Sequence, residues 1–345
     1  MTPPTSDKIL SLVVPCYNSS SYMDHCLDTL VNGTENIEVI IVDDGSTDDT
    51  ATIADTWKTR YPEVVRVIHQ DNKGHGGAVM AGLAAATGTY FYVVDSDDWL
   101  DSAAFGVTVD KLEAFVSSDE VADILIVNYV YEHATHGAQR VVAYDGALPK
   151  DRFFTWDEAG PFRMGQNIMM HSAIYRTQVL RDCGLSLPEH TFYVDNLFVY
   201  DPLPYTKDLF YLPVDLYRYF IGRDDQSVNE SSMVKRVDEL IRVTEMMAAS
   251  VKLPDGAGNP KLASYMMSYL GVVVASASIA AVLAGTPEAL QRRRAMWASI
   301  KETDAQMASQ LHRQLRIILA NLPGPIGRMI CVAHYRLAQR LFHFN

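Results

Sequence analysis

Cysteine is scarce in this sequence, and its arrangement excludes two classes of protein. The four cysteines, Cys16, Cys26, Cys183 and Cys331, are scattered over 345 residues without a CxxC pair. Disulfide-rich secreted domains and zinc modules carry closely spaced cysteines, so we expect reduced thiols here. The N-terminal stretch MTPPTSDK also lacks the charged and then apolar pattern of a secretion signal. Both absences predict a cytoplasmic location.

Positive charge is also scarce over the chain as a whole. Lysine and arginine total 29 against 42 aspartate and glutamate, which gives a formal net charge of −13. A general nucleic-acid binder needs a basic surface to neutralise phosphates, so we expect no nucleic-acid partner. A nucleotide-binding enzyme remains compatible with this charge, because it can hold phosphates through a metal ion.

The first hundred residues alternate between short apolar runs and helical patterns. Strands are predicted over 9–14, 37–43, 64–69 and 90–95, and helices over 21–30, about 46–59 and 76–87. The first strand is expected to stop at Pro15. Alternation with short links predicts an α/β protein with a Rossmann-like, mainly parallel sheet and helices on both faces. Two further strands are predicted over 123–132 and 139–144.

The pattern becomes helical in the last third. We predict a catalytic domain over 1–230, with a nucleotide-binding half (1–100) and an acceptor-side half (101–230), followed by a helical region over 231–345. The stretch LPDGAGNP (253–260) predicts a hinge between the two parts. Residues 262–287 carry no charge, but their Ala, Ser and Gly content favours a packed helix over a membrane span.

The C-terminal segment has the opposite charge to the rest of the chain. Residues 288–345 contain nine Lys and Arg against three Asp and Glu, and 311–344 mix arginine with Leu, Ile and Phe. Such a basic amphipathic segment can lie on an anionic membrane surface, at the inner face of the cell membrane for a cytoplasmic protein. It can equally form an oligomer or domain contact, and both alternatives stay open.

Polar clusters follow the predicted strands at the ends where the connections leave the sheet. They are PCYN (15–18), DDGS (43–46), QDNKGHGG (70–77) and DSDD (95–98). Ligands of open parallel sheets bind at the carboxyl ends of the strands. Carboxylates are the ligands that Mg²⁺ and Mn²⁺ prefer, and such ions keep positions open for phosphate oxygens. The DSDD cluster therefore predicts a metal site, with a solvated acidic turn as the alternative.

The glycine-rich stretch KGHGGA (73–78) fits neither of the common phosphate-binding loops. It lacks the last glycine of GxGxxG and the GK[ST] of a Walker loop, and it follows the third strand instead of the first. A nicotinamide enzyme and a P-loop kinase are therefore disfavoured. The glycines can let the backbone approach a nucleotide or sugar with Lys73 nearby, or they can simply form a flexible loop before a helix.

The order of three segments, VVPCYN, EVIIVDDGSTDDT and NKGHGGAVMAGLAAATGTYFYVVDSDDW, resembles the family 2 glycosyltransferases over residues 8–100. Weaker similarity recurs at FYVDNLF (192–198) and YRYFIGRDDQSVN (217–229). The resemblance implies a GT-A fold with a DxD motif and a Mn²⁺ or Mg²⁺ cofactor. It implies inverting transfer of one sugar from a nucleotide-sugar, a UDP-sugar in many members, to a saccharide or lipid-linked acceptor in cell-surface polysaccharide synthesis. The QxxRW signature of processive synthases is absent.

The resemblance also implies individual roles. Asp97 would bind the metal ion, and Asp195 would be the general base, with a pKa raised by partial burial near aromatic residues. The implied nucleotide-sugar contacts are Pro15, Cys16 and Tyr17 at the base, Asp44 at the uracil ring, Asp95 at the ribose or sugar with Ser96 in the same motif, and Arg223 and Gln226 in a loop over the diphosphate. Lys73 of the glycine-rich stretch is a further candidate contact to the nucleotide-sugar. The chain departs from the family pattern at Val194, where a glutamate is common, and at Ala78-Val79-Met80, which replaces ARN.

Three alternatives stay open beside these roles. Asp98 suits a helix cap as well as a ligand, and Asp195 can cap a helix that begins near Asn196. A sugar-phosphate nucleotidyltransferase also joins a nucleotide-binding parallel sheet to a metal-binding aspartate. Those enzymes normally place a glycine-rich loop after the first strand, where this chain has PCYN.

Overall fold

The computed structural model of the chain describes residues 8–31, 36–118, 120–133, 139–163, 165–221, 230–253 and 255–342. The chain divides into two compact units, Met1–Gly222 and Arg223–Asn345. Each unit has its own core. The predicted functional division at residue 230 stays a prediction.

The first unit is built on one sheet. Its described strands are β1 (Leu10–Cys16), β2 (Ile37–Asp44), β3 (Val65–Gln70), β4 (Tyr90–Val93), β5 (Trp99–Leu100), β6 (Ile124–His133), β7 (Gln139–Val142), β8 (Phe153–Phe154), β9 (Ala173–Arg176) and β10 (Leu209–Ile221). They are arranged in the order β3-β2-β1-β4-β9-β6-β10-β5, with β7 beside β6 and β8 beside β10. Strands β3, β2, β1 and β4 are mutually parallel, as are β6 and β10, whereas β9 and β5 are antiparallel to their neighbours. The mainly parallel sheet is thus confirmed.

Helices cover both faces of this sheet, as predicted. They are α1 (Met23–Leu30), α2 (Thr50–Arg60), α3 (Gly74–Ala85), α4 (Ser102–Ser118), α5 (Thr177–Asp182) and α6 (Asp195–Tyr200). Leu12 and Val14 of β1 share one core with α1, α2 and α4. Val13 points to the opposite face, because side chains alternate along a strand. There a Cβ on Gly82 of α3 would lie 2.3 Å from Val13 Cγ1, so only glycine permits this close approach.

Strand β1 is longer than the sequence predicts. Pro15 lies inside it, paired with Val42, and the strand ends at Cys16. The expected stop at Pro15 is therefore wrong. The pairing of β1 with β4 ends at Val13. Pro15 has no N–H to donate, and it lies beyond the paired residues of β4, where no donor is needed on that side.

The second unit is helical among its described residues. Its helices are α7 (Glu230–Lys235), α8 (Val237–Ser250), α9 (Pro260–Ala284), α10 (Pro287–Thr303), α11 (Ala305–His312), α12 (Leu315–Ala320) and α13 (Gly324–Phe342). The predicted hinge at 253–260 is wrong, because this stretch lies inside the second unit. Its Asn259 side chain caps α9 by accepting from the Lys261 N–H at 2.9 Å.

Helix α9 is the centre of the second unit. By length and composition it can cross a membrane, with a mean hydropathy of 2.0 in its most apolar window, but 72% of that window is buried inside the protein. It packs against α8, α10, α12 and α13. The expectation of a packed helix agrees with this burial.

Candidate active site

The acidic cluster DSDD forms a turn directly after β4, at the carboxyl ends of β1, β2 and β4. The Asp98 N–H donates to the Asp95 carbonyl at 3.0 Å and closes the turn. From β1 the chain adds β2 and β3 on one side, and it then places β4 on the other side of β1. The strand order therefore reverses between β1 and β4. Ligands of open α/β sheets bind outside such a point.

Asp98 is buried and fastens β10 to this turn. Its Oδ2 accepts from the Tyr217 hydroxyl at 2.7 Å and its Oδ1 from the Phe220 N–H at 2.8 Å. Burial, together with the charges of Asp97 and Asp95, raises the pKa of Asp98 well above its ordinary value. The helix-cap interpretation of Asp98 is wrong, since the residue that caps α4 is Asp101, which accepts from the Ala104 N–H at 3.0 Å.

Asp95 lies between two histidines. Its Oδ1 is 2.9 Å from His75 Nε2, and its Oδ2 is 3.7 Å from His171 Nε2. Burial acts to raise the pKa of Asp95, but His171 and His75 together hold it below the ordinary value. Burial likewise acts to lower the pKa of His75, and the hydrogen bond and charge of Asp95 raise it overall. Asp95 is therefore held as a carboxylate.

The sequence gives no signal for His171, and its place in the site comes entirely from the fold. It is 7% exposed in a short 3₁₀ turn before β9, with its ring 4.5 Å from that of Tyr217 and 4.4 Å from that of Tyr219. Its buried Nδ1 has no hydrogen-bond partner among the described residues. Because buried polar atoms are normally paired, this nitrogen is available to a ligand.

Asp95, Asp98 and His171 offer ligand atoms that all lie within 4.8 Å of one another. Two carboxylates and an imidazole are a donor set that suits a divalent cation such as Mn²⁺. The metal ligand predicted from the sequence, Asp97, is a half-buried neighbour of this group. Its assignment stays a prediction.

Asp195, the predicted base, is the first residue of α6, so it does not occupy the cap position, which is Val194. Its Oδ1 accepts from Asn196 Nδ2 at 3.3 Å. Burial raises the pKa of Asp195, while the charges of His171 and His75 act to lower it. The direction of this shift agrees with the sequence-based expectation. Asp195 thus interacts electrostatically with both histidines.

Asp44 is buried at the end of β2 with its Oδ1 already engaged. Gln70 Nε2 donates to this oxygen at 2.6 Å and the Lys73 N–H at 2.9 Å. The next residue, Gly45, has a φ of 71°, and a Cβ there would lie 2.8 Å from the Asn72 nitrogen. The DDGS turn therefore needs glycine at this position and holds Asp44 in a fixed orientation.

The loop after β1 is tied to the acidic turn. Ser96 is buried, and its Oγ lies 2.7 Å from that of Ser19. Buried Pro15 leads into this loop, whereas the Tyr17 side chain is 54% exposed. An exposed ring beside the site gives a nucleobase a surface on which to stack.

Of the other predicted contacts, Lys73 lies at the start of α3 with Nζ 3.4 Å from Glu189. Arg223 and Gln226 lie outside the described residues. The structure thus brings Asp95 into contact with His75 and His171, and both histidines act electrostatically on Asp195. It keeps Ser96 and Asp97 in the same turn as Asp95.

A sequence profile of glycosyl transferase family 2 matches residues 11–178, which contain most of this site. These residues belong to glycosyl transferase family 2. EpsH of Bacillus subtilis (strain 168), named as a glycosyltransferase, is 30% identical over 233 residues, 61% of this chain and 60% of EpsH. Chondroitin synthase of Escherichia coli is 37% identical over 110 residues, 32% of this chain and 16% of that protein. The chain thus aligns with less than two thirds of the length of each of these two proteins.

Among solved structures, S. aureus TarS 1–349 in complex with UDP-GlcNAc superimposes with a TM-score of 0.66 at 18% identity. The alignment covers 97% of this chain and 91% of TarS. At this identity the likeness concerns the fold, which is GT-A as the sequence resemblance implied.

Proposed function

We propose that this protein is a metal-dependent inverting glycosyltransferase. It moves one sugar from a UDP-sugar to a hydroxyl group of a saccharide or lipid-linked acceptor, in the synthesis of a cell-surface polysaccharide at the cytoplasmic side of the membrane. The observation that carries the proposal is the contact of Asp95 with His171, with Asp97 in the same turn and Asp195 in electrostatic interaction with both histidines. The UDP-GlcNAc bound to TarS and the name of chondroitin synthase support the donor and product classes.

The ligands that we propose for the cation are Asp95, Asp97 and His171. Asp98 fits this task less well, since both of its oxygens already accept hydrogen bonds from β10. When bound, a divalent cation offsets the negative charge that collects on the departing diphosphate. His75 keeps Asp95 ionised and oriented through their 2.9 Å contact.

Asp195 accepts the proton of the acceptor hydroxyl in this proposal. As the acceptor oxygen bonds to the anomeric carbon, the bond from that carbon to the diphosphate oxygen breaks, and UDP leaves. Displacement from the opposite face in one step inverts the anomeric configuration. The raised pKa of Asp195 makes it a stronger base than an exposed aspartate.

The donor is held by the loops at the strand ends. We assign the base to Pro15, Tyr17 and Asp44, and the diphosphate to Arg223 and Gln226, with Lys73 as a further contact to the nucleotide-sugar. The ribose or sugar is assigned to Ser96 and Asp95, and Asp95 can serve the cation as well because a carboxylate has several acceptor positions. The exposed Tyr17 ring and the fixed Asp44 carboxyl support the base contacts.

The test is acceptor-dependent UDP release by the purified chain with Mn²⁺, a panel of UDP-sugars, and oligosaccharide or lipid-linked acceptors. Asp195→Asn should keep donor binding and reduce transfer by about 10²- to 10⁴-fold, the usual contribution of a general base. Asp110→Asn, on the exposed side of α4, is the matched control and should transfer at the native rate. A native rate for Asp195→Asn would show that another residue is the base.

The same preparation tests the nucleotidyltransferase alternative. Pyrophosphate formed from UTP and a sugar phosphate, without UDP release from any UDP-sugar, would replace the proposed function with that activity.

A further inference from the structure

Helix α13 exposes a row of apolar side chains. Ile326, Met329, Ile330 and Leu337 are all exposed, with Ile326 at 74% and Met329 at 72%. Their spacing of three, four and eleven residues from Ile326 places them on one side of the helix, which we call the α13 stripe. On α12, Leu315 is 70% exposed and Ile318 is also exposed. Single exposed apolar residues are ordinary, but several on one side of one helix mark an interaction surface.

The opposite side of α13 already anchors the helix to its own unit. Cys331 is buried, and a Cβ on Gly327 would lie 2.6 Å from the Leu322 carbonyl group. Arg336 of α13 also binds Glu230 of α7 at 2.8 Å. The helix is therefore held in place without the stripe, which remains available for a partner.

The charge around the stripe identifies the chemistry of that partner. Residues 305–345 contain five arginines and no lysine, aspartate or glutamate, in a chain whose net charge is −13. An exposed apolar stripe within a basic segment matches the surface of a bilayer that contains anionic lipids. A second copy of this segment fits less well, because it would bring arginine against arginine with no acid in the segment to pair with them.

We propose that the α13 stripe docks this protein onto the surface of a bilayer containing anionic phospholipids. The apolar side chains enter the boundary between headgroups and acyl chains, and the positive charge of the segment attracts the lipid phosphates. This interaction goes beyond the proposed transfer reaction and does not depend on which sugar is moved.

The full chain is tested by co-sedimentation with vesicles of phosphatidylglycerol and phosphatidylcholine, and with vesicles of phosphatidylcholine alone. We expect at least tenfold tighter binding to the anionic vesicles at 50 mM salt, and release at 500 mM salt because screening weakens the arginine contacts. The double variant Ile326→Gln/Met329→Gln should bind the anionic vesicles at least tenfold more weakly, since it removes the two most exposed apolar side chains of the stripe.

The matched control is Val107→Gln/Val116→Gln, which makes a similar change at two exposed positions of α4. It should bind vesicles as the native chain does. Both double variants should keep the native circular dichroism and the native UDP release with a soluble acceptor, which separates this proposal from the proposed function.

Three outcomes would overturn the proposal. The native chain would sediment with neither vesicle, or equally with both. The α13 double variant would bind anionic vesicles as the native chain does. Light scattering would show a native dimer that the α13 double variant abolishes, which would assign the stripe to a second copy of the chain.

Discussion

Asp95 and Asp98, at the end of β4, have different surroundings, and these surroundings determine what each residue can do. Asp95 is held as a carboxylate between His75 and His171, whereas Asp98 is buried with a strongly raised pKa and accepts two hydrogen bonds from β10. The spacing of DSDD predicts that the cluster is a site. It does not predict this division, because the partners of Asp98 are about 120 residues away along the chain.

Replacing Asp98 tests whether it stabilises the fold through its hydrogen bonds to β10. Asp98→Ala leaves the Phe220 N–H and the Tyr217 hydroxyl without their acceptor, so the free energy of unfolding should fall by about 2–4 kcal/mol. Asp98→Asn keeps one acceptor oxygen and should lose about half as much or less. Urea denaturation measures both. Asp110→Ala on α4 should change the value by less than about 0.5 kcal/mol, and an equal loss there would contradict the assignment.

His171 shows what sequence patterns miss at the scale of a residue. It belongs to no motif, and it reaches Asp95 only because a 3₁₀ turn before β9 lies beside Tyr217 and Tyr219 of β10. Histidines brought in by strand pairing leave no local signal. An unpartnered buried nitrogen becomes visible only in the structure.

If His171 and Asp97 bind the cation, each should control how much Mn²⁺ the protein needs. We expect His171→Gln and Asp97→Ala to raise the Mn²⁺ concentration for half-maximal UDP binding by at least about tenfold. Calorimetric titration of UDP at several Mn²⁺ concentrations measures this. His312→Gln, a change of the same kind on α11, should leave the titration unaltered. An unchanged requirement in Asp97→Ala would remove that residue from the proposed ligands.

At the scale of elements, the alternating strands and helices of the first hundred residues are predictable because each is defined by local apolar periodicity. Strand β10 is not predicted, although its thirteen residues form the longest strand described. It contains Pro213, and its pairing with β6 shifts register between Leu212 and Tyr217. These irregularities break the two-residue period that identifies a strand. The site depends on β10, so its geometry required the structure.

A second buried acid joins several elements at the other end of the sheet. Glu38 of β2 accepts from Ser11 Oγ and the Thr87 N–H, both at 2.6 Å, and from Arg66 at 2.9 Å. Burial acts to raise the pKa of Glu38, but these donors lower it overall. One carboxylate thus connects β1, β2, β3 and the segment after α3.

Since the folded-state pKa of Glu38 is depressed, its contribution to stability is present above the unfolded pKa of about 4.3 and is lost as the pH falls through the folded value. Glu38→Gln should therefore lower the free energy of unfolding by about 2 kcal/mol at pH 7. The difference from the native chain should shrink as the pH falls below about 4. Urea denaturation at a series of pH values measures it, and a difference that stays constant with pH would contradict the charged interaction.

At the scale of the whole molecule, binding and stability are linked. A ligand that binds only the folded chain stabilises it by about 2.7 kcal/mol when its concentration is 100 times its dissociation constant. UDP with Mn²⁺ should therefore raise the melting temperature by several degrees. With EDTA the shift should be smaller, because the carboxylates of Asp95 and Asp97 then repel the diphosphate without a cation between them. UMP, which lacks the second phosphate, is the control and should respond less to Mn²⁺. An equal UDP shift with and without the metal would mean that the cation does not hold the diphosphate. The proposal that Asp97 and His171 hold the cation would then be wrong, although the fold and the similarity to the family would not be affected.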